Sequence, residues 1–297
     1  MALFDKNALG GKRILITGGG TGLGKGMAKH LAQHGANVHL WGRREAVLKE
    51  AADEINQACG VQRANYQPVD IRQFDSVDAA VEVIWTQHGP LTGLINNAAA
   101  NFIAPTKDLS PRGYEAIRST VMDGAFFTTM ACGKRWIDQG LKGSIVSTLV
   151  TWIFTGSPYV TSSAMAKAAV HAMTMSLAVE WAKYGIRLNA VVPGPFPTEY
   201  AWQMLNPTSD SSVGATQADQ VPMGRYGEIE ELGNLVLLLM SDGCDYITGD
   251  AIVIDGGHHL AAPSTFAGLS KMTDEDWAKA RDAAKAASAI SKAQRTV

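Results

Sequence analysis

Short apolar runs rich in branched residues alternate along the chain with longer segments of helical periodicity. We predict strands at residues 13–17, 37–41, 63–69, up to 97, 143–147, 187–192 and 251–254. The helices between them are predicted to end near His34 and Ala58 and then to span residues 76–87, 111–138, 159–184 and 228–240. This alternation predicts βαβ units, and therefore a parallel sheet with helices on both faces.

One domain accounts for most of the chain. Residues 1–257 form the predicted α/β domain, and we interpret the polar stretch within residues 197–225 as a substrate loop, not a domain boundary. Residues 258–297 form a C-terminal extension, predicted to be helical from Thr273 onward, that we expect to lie at a subunit interface or to fray. The length of 297 residues, with 46% hydrophobic and 18% charged residues, fits one large α/β unit.

Charge and cysteine usage narrow the class of protein. The net charge of −2 provides no basic field for nucleic acid. No apolar run reaches the roughly 18 residues that a membrane span needs, and the N-terminal residues lack a signal pattern. Cys59, Cys132 and Cys244 are far apart, show no metal-ligand spacing and favour a reducing compartment. We therefore expect a cytoplasmic protein with no nucleic-acid, membrane or metal partner.

A glycine-rich turn separates the first predicted strand from the first helix. In Thr17-Gly-Gly-Gly-Thr-Gly-Leu-Gly24, the spacing of Gly18, Gly22 and Gly24 is typical of a dinucleotide-binding turn. Positions without side chains let the backbone approach a pyrophosphate, and the start of the helix offers free N–H groups to the same anion. The alternative is a turn that is merely tight. The residues expected to bind the cofactor here are Gly18, Gly20, Thr21, Gly22 and Leu23.

The end of the second strand indicates which dinucleotide is bound. No acidic residue stands there to bind a ribose 2′-hydroxyl, and Arg43 and Arg44 follow instead. Because a guanidinium group matches the geometry and charge of a 2′-phosphate, we predict NADPH with Arg43 as its main contact. The alternative is that both arginines are solvated residues at a helix start. Asp70, after the third strand, is expected either to accept from the adenine amino group or to act as a helix N-cap.

Three further motifs accompany the glycine turn. Asn96-Asn-Ala-Ala99 closes the fourth strand, Lys167 lies in the helix after the fifth, and Pro193-Gly-Pro-Phe196 follows the sixth. Together these motifs resemble the short-chain dehydrogenase/reductase family over almost the whole chain. The resemblance implies a single Rossmann-type domain, with a doubly wound, parallel, seven-stranded sheet.

A narrower resemblance, to the 2,4-dienoyl-CoA reductases, rests on residues 96–106, 163–167 and 177–181 and on the tail after Asp255-Gly-Gly257. It implies a homotetramer that uses NADPH to reduce a conjugated dienoyl-CoA to an enoyl-CoA. It also implies cofactor contacts from Asn97, Lys167, Pro193, Gly194 and Phe196, with Ser163 close to the nicotinamide.

Individual roles follow from the same resemblance. Lys167 is expected to hold the nicotinamide ribose hydroxyls; a helix lysine is usually a solvated charge, but its neighbours here are small and apolar. Ser163 is expected to hydrogen-bond near the nicotinamide. Asn101 is expected to donate a hydrogen bond to the thioester carbonyl, or else to form a turn. Arg72 is expected to contact the CoA phosphates, and Phe102, Ser110 and Trp152 are expected to line the acyl path. The alternative is that these residues occupy ordinary surface or core positions.

The residues for ketone reduction are missing. Where the family has a tyrosine, a serine and a helix asparagine, this chain has Ser163, Val150 and Val121. Serine and valine do not supply an acid of suitable pKa, so simple ketone reduction is disfavoured. Mitochondrial-type dienoyl-CoA reductases place a tyrosine where this chain has Trp152, and an indole donates a hydrogen bond but not a proton.

Tyr159, eight residues before Lys167, is the nearby tyrosine that remains. On a helix this spacing turns it about 80° from Lys167 and keeps it on the same broad face. Two roles stay open for it: a catalytic donor, or an aromatic wall of the substrate pocket. His258 and His259 show no ligand spacing and are expected to face solvent or a subunit contact.

Three functional hypotheses follow. The first is NADPH-dependent reduction of a conjugated double bond in an acyl-CoA thioester, with Asn101 stabilising an enolate and Lys167 fixing the cofactor. The second is reduction of a free enone or polycyclic substrate in an aromatic pocket formed by Trp152, Phe154, Tyr159, Tyr200 and Trp202. The third, motivated by the missing residues, is a non-catalytic NADP-binding or scaffold subunit.

Overall fold

The computed structural model describes residues 4–101, 103–198, 218–261, 269 and 271–293. Phe102, Tyr200 and Trp202, with residues 199–217 of the expected substrate loop, lie outside the described residues. The strand ends differ from the predicted ones by no more than one residue. The strands are β1 (Arg13–Thr17), β2 (Asn37–Gly42), β3 (Ala64–Pro68), β4 (Gly93–Asn96), β5 (Gly143–Thr148), β6 (Ile186–Pro193) and β7 (Ala251–Ile254).

The strands form one seven-stranded sheet in the order β3-β2-β1-β4-β5-β6-β7, and every neighbouring pair is parallel. This topology confirms the predicted Rossmann-type fold. The order of strands along the chain reverses between β1 and β4, which lie side by side. In such sheets ligands bind outside the carboxyl ends of the strands at this switch point. The glycine turn after β1 and the Asn96-Asn97 pair at the end of β4 both lie there.

Helices cover both faces of the sheet, and alternate residues of each strand pack against one layer or the other. The helices are α1 (Gly22–Gln33), α2 (Glu45–Cys59), α3 (Phe74–His88), α4 (Pro111–Arg118), α5 (Gly124–Asp138), α6 (Trp152–Thr155), α7 (Thr161–Trp181), α8 (Ile229–Met240), α9 (His258–Ala261) and α10 (Asp274–Ala293). In β1, Ile14 and Ile16 join the core with α1, α2 and α8, whereas Leu15 joins the core with α3, α5 and α7.

The long helix predicted over residues 111–138 is divided by one π turn, Ser119–Asp123, which separates α4 from α5. The wide turn is spanned by an ion pair, in which Nη1 of Arg118 donates to Oδ1 of Asp123 at 2.9 Å. Val121, within the turn, packs with Ile117 and with Ala166 of α7. The π turn is one residue wider than an α-helical turn, and through Val121 it sets how α4 packs against α7, the helix that carries Lys167.

The prediction that Tyr159 lies on the helix of Lys167 is wrong. Helix α7 begins at Thr161, and Tyr159 has a φ of 67°, a left-handed conformation that a right-handed helix cannot contain. Its side chain packs against Trp277 of α10. The helical face calculated from the spacing of eight residues therefore does not apply to Tyr159.

The C-terminal extension is helical from Asp274, as predicted from Thr273 onward, and it folds back onto its own chain. Trp277 lies in an apolar cluster with Val160 and Leu269. In the part of the chain that the structure describes, no helix is long and apolar enough to cross a membrane. Over the same residues there is no group of three or more histidine, cysteine, aspartate or glutamate side chains that could hold a metal ion.

Candidate active site

The glycine turn is tied directly to the end of β4. The hydroxyl oxygen of Thr17 accepts hydrogen bonds from the backbone N–H groups of Asn97 and Ala98, each at 3.0 Å. In return, Nδ2 of Asn97 donates to the carbonyl oxygen of Thr17 at 3.1 Å. Gly18 has a φ of +66°, so a side chain there would strain the backbone as well as press on Ala98. The two loops at the switch point therefore form one rigid unit.

Close packing explains why the helix after the turn begins with glycines. A Cβ on Gly24 would overlap the carbonyl oxygen of Gly18 and lie 2.5 Å from Nδ2 of Asn97. The N-cap residue of α1, Thr21, makes no side-chain capping hydrogen bond. The first N–H groups of a helix have no acceptor within it, so they remain available to an anion, which the helix dipole also attracts. This arrangement fits the pyrophosphate of a dinucleotide.

Two residues that were expected to contact different ligands pair with each other. Nε of Arg72 donates to both carboxylate oxygens of Asp70, at 2.8 and 3.0 Å. Burial opposes ionisation of Asp70, but the hydrogen bonds from Arg72 and the nearby charge of Arg43 hold its pKa below the usual range. Asp70 is not the N-cap of the next helix, because the N-cap position of α3 is Gln73. Asp70 is therefore paired with Arg72 and lies near the charge of Arg43, and the expected adenine and CoA contacts stay predictions.

Lys167 is buried, although lysines on helices are usually solvated. Its side chain is 5% exposed, and Nζ donates to the backbone carbonyl oxygen of Thr148 at 2.5 Å. Burial lowers the pKa of Lys167 to about 8. The hydroxyl of Thr148 lies 3.4 Å from Oδ1 of Asn97, so the same strand end joins the lysine to the β4 loop. The alternative of a solvated charge is therefore excluded.

Two serines, and not a tyrosine, lie near Lys167 among the residues that the structure describes. Ser163, one turn earlier on α7, is 4% exposed and stands where the family has its tyrosine. The hydroxyl of Ser147, near the end of β5, is buried and has no hydrogen-bond partner among the described residues. A serine hydroxyl is too weak an acid to replace a phenol, so this region can position a polar substrate atom but does not supply its proton.

Asn101 has a buried amide oxygen, Oδ1, without a hydrogen-bond partner among the residues that the structure describes. Leaving such an oxygen without a hydrogen bond costs about 1–3 kcal/mol, and a bound ligand that donates to it would remove this cost. The preceding residue, Ala100, packs against the cluster of Ile117, Val121 and Ala166. Since Ala166 adjoins Lys167, the Asn101 loop lies against the helix that carries the lysine.

The residues expected along the acyl path lie on different elements. Ser110 is the N-cap of α4, and its hydroxyl oxygen accepts from the N–H of Gly113 at 3.1 Å. Trp152 begins the short helix α6 and packs in the apolar cluster around Trp277. Trp152 and Tyr159 thus pack against the same apolar cluster, whereas Ser110 has a local capping role in this structure.

The Pro193-Gly-Pro-Phe196 segment leaves β6 beside the end of β7. The N–H of Gly194 donates to the carbonyl oxygen of Ile254 at 2.9 Å, and a Cβ on Gly194 would overlap Cβ of Asp255. Phe196 is buried against Gly227. These contacts fix the backbone of the segment, which is the part expected to meet the nicotinamide carboxamide.

Sequence reasoning missed three features near the site. The side chain of Thr198 lies 3.4 Å from the position that a Cβ on Gly22 would occupy, so this threonine faces the glycine turn. Oδ2 of the buried Asp255 lies 2.7 Å from Nδ1 of His259. His258 is buried, so the prediction that both histidines face solvent or a subunit is wrong for it. The spacing of aspartate and histidine, four residues apart, was a signal that could have revealed the pair.

Comparisons with known proteins show which proteins this chain resembles. Residues 18–259 match a family described as enoyl-(acyl carrier protein) reductase. A protein of Bacillus subtilis (strain 168), named a probable 2,4-dienoyl-CoA reductase that produces (2E)-enoyl-CoA, is 40% identical over 250 residues, covering 84% of this chain and 97% of that protein.

Solved structures share the fold. A short chain dehydrogenase from Bacillus anthracis str. 'Ames Ancestor' is 41% identical, with a TM-score of 0.75, and covers 84% of this chain and 98% of its own. A gluconate 5-dehydrogenase from Burkholderia cenocepacia J2315, in complex with NADP and tartrate, is 29% identical, with a TM-score of 0.77, and covers 87% and 99%. The matched family region ends at residue 259, before α10 begins.

Proposed function

The chain belongs to the short-chain dehydrogenase/reductase family of oxidoreductases, and we propose that it uses NADPH to reduce a conjugated carbon–carbon double bond in an acyl-CoA thioester. The observation that carries the proposal is the environment of Lys167. The lysine is buried and hydrogen-bonded, yet Ser163 and Val150 occupy the positions of the acid and its partner for ketone reduction. A conjugated thioester does not need that acid, because hydride addition to it gives a resonance-stabilised enolate.

The cofactor half of the proposal rests on the switch point. Bound NADPH would supply a hydride to the electron-poor end of the conjugated system. The uncapped N-terminus of α1 and the glycine turn would hold its pyrophosphate, and Arg43 would pair with the 2′-phosphate. Lys167 would hold the ribose hydroxyls with its ammonium group, which remains protonated below its pKa of about 8. The proposed preference for NADPH is supported by a relative, the Burkholderia cenocepacia gluconate 5-dehydrogenase, whose structure is a complex with NADP.

The substrate half rests on Asn101. Negative charge develops on the thioester oxygen as the double bond is reduced, and a preorganised donor aimed at that oxygen lowers the barrier. The buried, unpaired atom of the Asn101 amide is its oxygen, which only accepts, so the donor role proposed here requires the amide rotated by 180° to bring its NH₂ group to that position. We therefore assign Asn101 to the thioester oxygen. Since neither Ser163 nor Val150 is a suitable acid, the proton on carbon would come from water.

The proposal is tested by following NADPH absorbance with 2,4-hexadienoyl-CoA, crotonyl-CoA and a free enone such as cyclohexenone, and by identifying the products. We expect turnover of the dienoyl-CoA, with a much higher kcat/KM for NADPH than for NADH. Turnover of the free enone alone would favour the second hypothesis. NADPH binding without turnover of any CoA ester would contradict the proposal and favour a non-catalytic subunit.

Assembly and location are separate proposals. We infer a homotetramer, which size-exclusion chromatography with light scattering of the full chain tests directly. We also propose a cytoplasmic location, which fractionation of the source cells tests. A monomer in solution would overturn the first proposal without affecting the chemistry at Lys167 and Asn101.

A further inference from the structure

The C-terminal helix α10 packs onto residues of the candidate site. Trp277 is 4% exposed, and its ring lies 4.9 Å from the ring of Tyr159, centroid to centroid, at an interplanar angle of 45°. Val160 and Leu269 complete the buried part of this cluster. An aromatic pair of this geometry contributes beyond the area it buries, so the contact holds the helix firmly in place.

The same cluster reaches both segments that flank the acyl path. Trp152 and Ile103 pack against it, and the N–H of Ala104 donates to the carbonyl oxygen of Tyr159 at 3.0 Å. Ile103 lies two residues after Asn101, the proposed contact of the thioester oxygen. An acyl chain that extends from that oxygen needs an apolar wall, and the cluster that holds Trp152, Tyr159 and Trp277 is an apolar surface that reaches Ile103, close to Asn101 in the chain.

Charged residues orient α10 on this surface. Nη1 of Arg281 lies 3.3 Å from a carboxylate oxygen of Asp108, and Nζ of Lys107 lies 3.8 Å from Asp274. The two partners of α10 on the main domain, Asp108 and Lys107, belong to the short helical turn Thr106–Asp108, in the loop that carries Asn101. Exposed pairs of this kind add little stability, but two of them at opposite ends of one contact favour a single orientation.

We infer that α10 forms the outer wall of the acyl site, and that Trp277 is a specificity-determining residue that limits the length of the acyl chain. The inference rests on the proposed function. It concerns residues beyond 259, where the match to the family model ends, so the family match does not itself imply it. Each methylene that a substrate buries is worth roughly a fourfold change in kcat/KM, at about 0.8 kcal/mol per group. Removing the indole should therefore favour longer substrates.

The test uses the full chain and its Trp277→Ala variant, with 2,4-dienoyl-CoA substrates of increasing length, from six to twelve carbons. We expect the ratio of kcat/KM for the longest over the shortest substrate to rise at least fourfold. Trp277→Phe, which keeps an aromatic ring, should shift the ratio less. Lys285→Gln, on the solvent side of the same helix, serves as the matched control and should leave the ratio unchanged, because Lys285 is 78% exposed.

Folding is checked separately by the NADPH Kd and by circular dichroism of each variant. A uniform loss of activity, or an unchanged length profile in a folded and active Trp277→Ala variant, would overturn the inference and leave the proposed function intact. Absence of turnover of the whole series by the unaltered protein would overturn the proposed function and the inference together.

Discussion

The ammonium group of Lys167 donates a hydrogen bond to the backbone carbonyl oxygen of Thr148 across 2.5 Å. Thr148 ends β5, and its hydroxyl lies beside Asn97 at the end of β4. The cation is therefore attached to the end of the strand next to β4, close to the switch point, and is buried. A charge fixed in this way can hold a cofactor without reorganisation, which is the physical basis of its proposed role.

Replacing Lys167 with methionine should remove this charge while keeping much of the side-chain volume. We expect the NADPH Kd to rise and kcat/KM to fall by roughly a hundredfold or more, because a buried, preorganised donor is lost. Fluorescence titration with NADPH and steady-state kinetics measure the two effects. Replacement of Lys183, an exposed lysine just after α7, by methionine is the matched control and should change neither. Normal NADPH affinity in Lys167→Met would contradict the assignment.

The lowered pKa of Lys167 predicts a pH dependence of stability in the cofactor-free protein. The pKa is about 8 when folded and near 10.5 when the lysine is exposed, so between these values the unfolded chain binds more protons. Stability therefore rises with pH in this window, whereas below pH 8 the cost of burying the cation is present in full. Relative to Lys167→Met, the free energy of unfolding should increase by about 2 kcal/mol from pH 8 to pH 10. Urea unfolding at each pH measures this, and a constant difference between the two proteins would refute it.

Gly24→Ala should disable the dinucleotide turn. The added Cβ would overlap the carbonyl oxygen of Gly18 and press on Asn97, so the helix start must move away from the turn. We expect loss of NADPH binding and a melting temperature lower by several degrees, as for overpacking by about 1–3 kcal/mol. Gly243→Ala is the matched control, because its Cβ would meet only the Ser241 hydroxyl at an ordinary 3.4 Å. Equal behaviour of the two variants would show that the packing at Gly24 is unimportant.

Arg43→Ala should separate NADPH from NADH. A hydrogen-bonded charge pair is worth about 1.5–3 kcal/mol, so the NADPH Kd should rise roughly tenfold to a hundredfold. The NADH Kd should stay constant, because NADH lacks the 2′-phosphate. Arg44→Ala provides the comparison on the neighbouring guanidinium. A larger effect from Arg44 than from Arg43 would transfer the proposed contact to Arg44.

Asn101→Ala should affect chemistry more than cofactor binding. Loss of one donor to a developing oxyanion lowers kcat by about 10²–10³-fold. We expect this loss with 2,4-hexadienoyl-CoA and an unchanged NADPH Kd. Asn65→Ala, on the distant strand β3, is the control for replacing a partly exposed asparagine. If Asn101→Ala raised KM without lowering kcat, Asn101 would bind the ground state only.

Local sequence patterns were sufficient to predict every strand and nearly every long helix. The alternation of branched apolar runs with amphipathic segments specifies βαβ units, and such units have few topologies because their crossovers are right-handed. The glycine turn could also be predicted from the sequence, because the contact that requires Gly24 is with Gly18, only about six residues earlier in the chain. Secondary-structure elements and the glycine turn depend on residues close together in the chain, so the sequence alone is enough to predict them.

Contacts between residues far apart in the sequence could not be predicted from these local patterns. The ion pair between Asp70 and Arg72 was missed for a different reason: the two residues are only two positions apart, but no local rule says whether a charged side chain pairs with its neighbour or with a ligand. Tyr159 was placed on a helix by spacing, but Gly156 and Pro158 precede it and its ring is held by Trp277, more than a hundred residues later. Helix periodicity carries no information about such a partner.

By itself, the sequence determined the Rossmann-type sheet, the dinucleotide turn and the replacement of the family's tyrosine and serine by Ser163 and Val150. The tertiary structure decided that Lys167 is buried against Thr148 with its pKa near 8, and that α10 lies on the wall that Tyr159 forms. The reason is physical. Hydrophobic periodicity and glycine spacing act over one or two turns of chain, whereas burial and its effect on charge depend on every segment that packs around a residue.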